Sequence, residues 1–463
     1  MRSVNRVSFF VLLLLLSLVL ATRVAAARTY TISKVYAPGD PAPTGNFLTT
    51  GAGADLNDAG DAAWDAVAGT VSQSGPGVFL KAGGTITKLV SQGDPAPGTG
   101  GVYDTFVLTS LSNAGAVCFF AIVSNTSSWS GLFLKSGAGT LPIALAGSPA
   151  PGSGSPFNGF GDCKLNESGQ AAFYASLYEE GVPAGSTRDP SGIFRFSAAG
   201  AEAVALIDQP APGTGGSFMG FGTPPSINDS GDVAFTGRYG LSVSSTGIFV
   251  ASGGVIAPVA LPGDPAPGTG GAFSLFEGVS INNAGEIAFR GGASGLMAND
   301  GIFLHLSGGI EPVALQGEQA PGTGGGLLEQ FQPRALINDR GDVVFQATYG
   351  SGTTGSGIFV RDGHTGDLSP VVLTGQPAPD LPGQTIVTIV GGTLAINGNG
   401  QVLFVARLSG LSFRNYLATP DPIPDSVPAL SGWGAAGMVV LLLLGGVWRS
   451  CARMRESVPR VNS

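Results

Sequence analysis

The chain has 463 residues, 43% of them hydrophobic and only 11% charged, with a formal net charge of −9. The apolar content can supply a core for one large domain or a few smaller ones, and the 75 Gly and 32 Pro would point to disorder only if no apolar period ran between them. Setting aside three Arg before residue 28, and four Arg and one Glu after 448, leaves 15 basic against 30 acidic residues. A net charge of −15 on that middle region excludes a nucleic-acid partner, since phosphate neutralisation needs Lys and Arg in quantity.

The chain opens with Arg2 and Arg6, an apolar run from Val7 to Ala21, and Ala25-Ala26-Ala27. These are the parts of a secretory signal, and residues 1–27 are expected to be removed after Ala27. An uncleaved membrane anchor is the competing reading.

Seven copies of one pattern follow, in which an Asn, or once a Ser, is followed three residues on by Gly and four further on by an aromatic residue. The glycines are Gly60, Gly115, Gly169, Gly231, Gly285, Gly341 and Gly400, spaced by 55, 54, 62, 54, 56 and 59 residues. Pro-Ala-Pro turns keep the same phase, with Gln319-Ala320-Pro321 as a degenerate copy, and so do Phe79, Phe133, Phe194, Phe249, Phe303 and Phe359. Low complexity does not hold a phase, so this is a structural repeat.

The fifth unit shows the expected elements. Gly263 to Gly271 is a Pro- and Gly-rich loop, Phe273 to Ile281 a first strand, and Asn282 to Gly285 a turn in which Gly takes positive φ. Glu286 to Arg290, Gly301 to Leu306 and Ile310 to Leu315 supply three more strands. Four short strands in about 55 residues fit one blade of a propeller. The 62-residue interval absorbs an added loop, Tyr178 to Pro190.

The two ends of the repeat region sum to one unit. Thr31 to Tyr36 stands where a fourth strand belongs, whereas the last unit has strands at Thr385 to Ile396, Gln401 to Ala406 and Ser412 to Leu417 but no fourth. The expected fold is therefore all-β, a seven-bladed propeller over residues 28–418 whose last blade is closed by the N-terminal strand. An open β-solenoid is the alternative, but it does not require complementary ends.

Residues 419–426 form a Pro-rich linker. Trp433 to Trp448 is apolar and uncharged, and Arg449, Arg453 and Arg455 follow, which predicts a transmembrane helix over 433–448 with the repeats outside. Val427-Pro428-Ala429-Leu430-Ser431-Gly432-Trp433-Gly434, the apolar run and the basic tail resemble the IPTL-CTERM sorting signal of Gram-negative envelope proteins over 427–455, with departures at Val427, Ala429 and Gly432. The repeats resemble NxxGxxAF tandem-repeat proteins. The resemblance implies export, membrane attachment through the C-terminal helix, and handling by envelope sorting or processing machinery. It implies no transferable activity.

The chemistry-bearing residues are sparse. His305 and His364 lie in consecutive units at different phases, and no Cys-xx-Cys or Glu-xx-His accompanies them. No nucleophile elbow is followed by a completing His, and the Gly-rich loops lack the Lys of a phosphate loop. Cys118 and Cys163, in adjacent units, could pair, but Cys118 takes the Ala place of the repeat and is more simply a buried small residue.

Acids recur beside the Asn-Gly turns at Asp58, Asp61, Asp229, Asp232, Glu286, Asp339 and Asp342, and in the Pro loops at Asp40, Asp94 and Asp264. Their plain reading is a solubilising rim. Ca²⁺ held at one or more turns is the only cofactor reading left open, although no EF-hand pattern supports it. The repeated Phe residues, with Trp64 in the same place, are expected to stack between blades, and Trp129 is the aromatic to inspect for exposure. No catalytic, cofactor or metal residue is assigned. The expected function is a structural or binding module of the cell envelope, with a surface glycan or protein as ligand. A carbohydrate-binding or carbohydrate-active propeller is the alternative.

Overall fold

The computed structural model describes residues 28–422, except 52, 71, 179–189, 223, 241–244, 295–298, 351 and 353. The signal over 1–27, most of the added loop, the sorting signal over 427–455, the helix over 433–448 and Cys451 lie outside the described residues. The chain divides into two units after Pro420, and every strand among the described residues belongs to the first. Among the described residues no helix is long and apolar enough to cross a membrane.

Alternating side chains and short turns give each repeat four antiparallel strands, as in Gly271–Ile281, Ile287–Ser294, Asp300–Leu306 and Gly309–Leu315 of the fifth unit. They lie in sequence order across one sheet, and seven such sheets make a seven-bladed propeller. The first strand of blade 1 is split into Asn46–Phe47 and Ala54–Leu56, and that of blade 4 into Gly216–Phe221 and Ser226–Ile227. The Pro loops go beyond rigid turns, because Pro265 and Ala266 pair with Ala272 and Gly271 as a two-residue ladder.

Blade 7 holds the seam. Tyr30–Tyr36 pairs antiparallel with Phe413–Pro420, with Thr31 opposite Thr419 and Ser33 opposite Leu417. The last strand thus runs two residues past the expected end at 418. In blade 5, Ile302 faces Ala314 while Phe303 faces Pro312, so Val313 bulges out. The fourth strands of blades 1, 2, 3, 4 and 6 carry a bulge at the same place. The N-terminal strand carries it too, with Lys34 facing Tyr416 and Tyr36 facing Asn415. It is a fourth strand in detail, re-aimed by the same extra residue as its counterparts.

The two-residue period of the second strand builds the core between blades. Phe289 packs toward blade 4 with Ala234, Ile248 and Ala260, while Ala288 faces the other way, under Phe331, Phe345 and Phe359 of blade 6. Each blade therefore shows an aromatic face to its predecessor and a small or aliphatic face to its successor. Most of the aromatic stacking occurs within blades and not between them as expected; the stacked pair across the seam, Tyr36 on Trp64, is the exception among the described residues. Phe289 stands directly opposite Phe303, with ring centroids 5.9 Å apart and planes at 22°. Trp64 and Phe79, Phe119 and Phe133, and Phe345 and Phe359 repeat the pairing.

This geometry also corrects the reading of Cys118. A residue in the Ala place faces the next blade, and Cys118 there meets Cys163 on the first strand of blade 3, with Cα atoms 6.5 Å apart. The two form a disulfide between blades 2 and 3, and both are fully buried.

Candidate functional site

The first strands and the Asn-Gly turns line a central channel that encloses a cavity of ≈ 220 Å³. Because the strands alternate in direction, these turns share one end of the propeller with the hairpins joining third and fourth strands. The Pro loops and the connections between second and third strands lie at the other end.

Three layers of hydrogen bonds join the blades around the channel. In the first, the turn Asn of blades 3 to 7 bonds locally and outward at once. The Asn282 Oδ1 accepts from Glu286 N at 2.9 Å, and its Nδ2 donates to the Asn338 carbonyl of the next blade at 3.1 Å. The same outward bond runs from Asn166 to Asn228, Asn228 to Asn282 and Asn338 to Asn397, and Asn397 carries it across the seam to Asn57 at 2.8 Å. The fourth residue after Asn holds the amide in place, as Asp61, Asp232, Glu286 and Asp342 accept from the Asn Nδ2 of their own turn.

The second layer uses the residue after Asn. Its backbone N–H donates to the side chain of its counterpart one blade on, from Asp58 to Asn113, Asn113 to Glu167, Glu167 to Asp229, Asp229 to Asn283 and Asn283 to Asp339. Gly398 N donates to Asp58 Oδ1 at 2.5 Å, but Gly398 has no side chain to receive Asp339. A third layer, two residues before Asn, runs the opposite way. Leu111 N donates to Asp55, Leu165 N to Ser110, Ile281 N to Ser226 and Ile337 N to Ser280.

Four carboxylates, Asp58, Glu167, Asp229 and Asp339, thus converge at one mouth of the channel. Burial pushes the Glu167 carboxyl above its ordinary value, and the charges of Asp229, Asp58 and Asp339 add to this, while the bond from Asn113 N–H opposes it. Asn113 and Asn283 sit between acids, with the Asn283 Nδ2 bonding both Asp229 at 2.7 Å and Asp339 at 2.9 Å. Deeper in the channel wall, Lys164 lies 3.8 Å from Asp55.

The acids of the Pro loops stand at the opposite end. Asp40, Asp94 and Asp264 each accept the backbone N–H of the residue three before them, which caps the loop. Gln209, Glu318 and Gln376 do the same in other units, so the place calls for an acceptor and not a charge. Among the described residues no three His, Cys, Asp or Glu side chains are grouped closely enough to hold a metal ion. His305, half-buried on a third strand and lowered in pKa by burial, and His364, in a blade 6 hairpin, are not brought together.

Sequence reasoning placed Asp58, Asp229 and Asp339 at the turns, did not single out Glu167, and missed what all four accept. The available signal was the residue after Asn, which carries an acceptor side chain in six of seven units. Trp129, 50% exposed before the third strand of blade 2, and Tyr178, 57% exposed at the end of the second strand of blade 3, share the Pro-loop end.

The model of a family described as "Family of unknown function (DUF7453)" matches residues 20–186 and again 181–416. No curated protein matches the chain. The β-propeller domain of the Trilobed protease from Pyrococcus furiosus is similar in structure, with a TM-score of 0.49 and 7% identity over 87% of this chain and 100% of that one. Oligogalacturonate lyase from Vibrio parahaemolyticus gives 0.48 and 11% identity over 85% and 98%.

Proposed function

This chain belongs to the DUF7453 family of unknown function, and from that premise we propose that it is an exported module of the cell envelope with a structural or binding role. The observation that carries the reading is the use made of the channel acids. Asp58, Glu167, Asp229 and Asp339 each accept a backbone N–H from the preceding blade, so the convergent carboxylates hold the ring together. A ring stapled in three layers is a rigid platform, and its outer loops are where ligands would be met.

Export is supported by the leader-like residues 1–27, the sorting-signal resemblance over 427–455 and the buried Cys118–Cys163 disulfide, a bond that persists in oxidising compartments. The partners proposed are the sorting or processing machinery at the tail and a surface glycan or protein at the loops. A carbohydrate-binding propeller is the second reading, favoured by the exposed Trp129 and Tyr178 at one end, since aromatic faces suit sugar rings.

One experiment tests the main reading. With one tag inserted within 421–426 and another after Arg460, envelope fractionation should find the first outside and the second inside or lost. In the denatured protein, Cys118 and Cys163 should resist alkylation until reduced. A cytoplasmic product carrying both tags and free thiols refutes the proposal.

A further inference from the structure

We propose that Asp342, Asp362 and Ser369 form a receptor for the mature N-terminus of this chain, so that hydrolysis of the Ala27–Arg28 bond leaves Arg28 as a latch that locks the closing strand. The proposal rests on the export reading, because that reading supplies the leader and its removal.

Arg28 stands two residues before the closing strand, which begins at Tyr30 in blade 7. Its side chain nevertheless reaches into blade 6. The Arg28 Nη1 donates to Asp342 Oδ2 at 3.1 Å, Nη2 donates to Asp362 Oδ2, and the backbone N donates to Ser369 Oγ at 3.1 Å. Relative side-chain exposures are 7% for Arg28, 1% for Asp342 and 13% for Asp362, so this is an interior ion pair and not a surface one. The buried guanidinium pays a desolvation penalty, but bonds to Tyr30 and Asp342 more than offset it and hold its pKa above the ordinary value.

The receptor is built independently of its occupant. Gly363 N donates to Asp342 Oδ1 at 2.9 Å, and His364 N and Thr365 N both donate to Asp362 Oδ1 at 2.9 Å. Both carboxylates are thereby aimed before Arg28 arrives. Blade 7 closes the pocket with Gly400, where a Cβ would come within 3.3 Å of the Arg28 Nη1. Arg340, whose Nε lies 3.6 Å from Asp342, is 48% exposed and approaches from outside, so it does not substitute for Arg28.

The closing strand is therefore tied to three blades. Its ladder binds blade 7, Arg28 binds blade 6, and Tyr36 at its far end packs in the core of blade 1. Terminal strands fray unless tied down, and this one carries an anchor at each end. Hydrolysis adds water across the Ala27–Arg28 bond, leaving a carboxylate on Ala27 and an ammonium on Arg28. The ammonium retains donors for Ser369 Oγ. A cut one residue further on would remove the latch.

The test uses the full-length chain with its own leader, produced in a Gram-negative host. N-terminal sequencing of the exported product should return Arg28 as the first residue. In a thermolysin pulse, Arg28→Gln should release the closing strand at least tenfold faster than wild type, with Arg28→Lys in between. Ser369→Ala leaves the ion pairs intact and should raise release severalfold, so it decides the matter if Arg28→Gln does not accumulate. An exported product starting elsewhere, or release unchanged by these substitutions, overturns the latch alone. A leader retained on a cytoplasmic product refutes the export reading instead.

Discussion

Tyr36 lies flat on Trp64, with ring centroids 4.3 Å apart and planes at 12°. The first residue belongs to the closing strand of blade 7 and the second to blade 1, so one stacked pair carries the ring across its seam. Both rings are 1% exposed, and the Tyr36 hydroxyl donates to the Thr50 carbonyl. Tyr36→Ala should lose about 3–5 kcal/mol, the usual cost of emptying a buried aromatic site. Tyr36→Phe keeps the stack and should lose about 1 kcal/mol for the hydroxyl bond. Chemical denaturation of the two variants checks this, and equal losses would show that the stack does not bridge the seam.

The Ala and Phe of the repeat should respond oppositely to a change of size. Ala288 is fully buried beneath aromatic rings of blade 6, so Ala288→Leu overpacks that interface and should cost about 1–3 kcal/mol. Phe289→Ala instead opens a cavity toward blade 4 and should cost about 3–5 kcal/mol. Unfolding free energies of both variants test whether successive side chains serve opposite interfaces.

Gly285 and Gly278 separate conformational strain from collision. Gly285 has φ +78° and open space where a Cβ would go, so Gly285→Ala should cost roughly 1 kcal/mol through backbone strain alone. Gly278 has φ +56°, and its Cβ would lie 1.9 Å from the Pro333 carbonyl oxygen of the next blade. Gly278→Ala should therefore be clearly the more destabilising. Equal melting temperatures would contradict the close approach of blades 5 and 6.

Glu167 gives the channel mouth a defined pH response. Its folded pKa is raised, first by burial and then by Asp229, Asp58 and Asp339. A raised folded value means that the protonated form favours the fold. That contribution is fully present below the ordinary carboxylate pKa and is lost as pH rises through the raised value. Glu167→Gln mimics the protonated form and still offers an oxygen to Asn113 N–H. It should be more stable than wild type at neutral pH, and the difference should vanish in acid. Thermal denaturation across that range checks the sign.

Local periodicity determined much of this protein before any coordinates. Phe, Asn, Gly and Pro recur in one phase, and each acts on its near neighbours, so strands, turns and the seven-unit count could be read directly. The fourth-strand role of Thr31 to Tyr36 was equally legible, because counting strands at two ends needs no knowledge of contacts. Partners across blades were not legible. Asp58 and Glu167 look like surface acids in sequence, and only the ring brings to them N–H groups from turns 340 and 54 residues away. Cys118 looked like a substitute for Ala until the two-faced second strand aimed it at Cys163. Arg28 looked like the residue after a leader, and its carboxylates lie 314 and 334 residues further on. A sequence states which face of a strand a residue occupies. The closure of the ring decides what stands opposite that face, because closure alone brings the last blades beside the first residues.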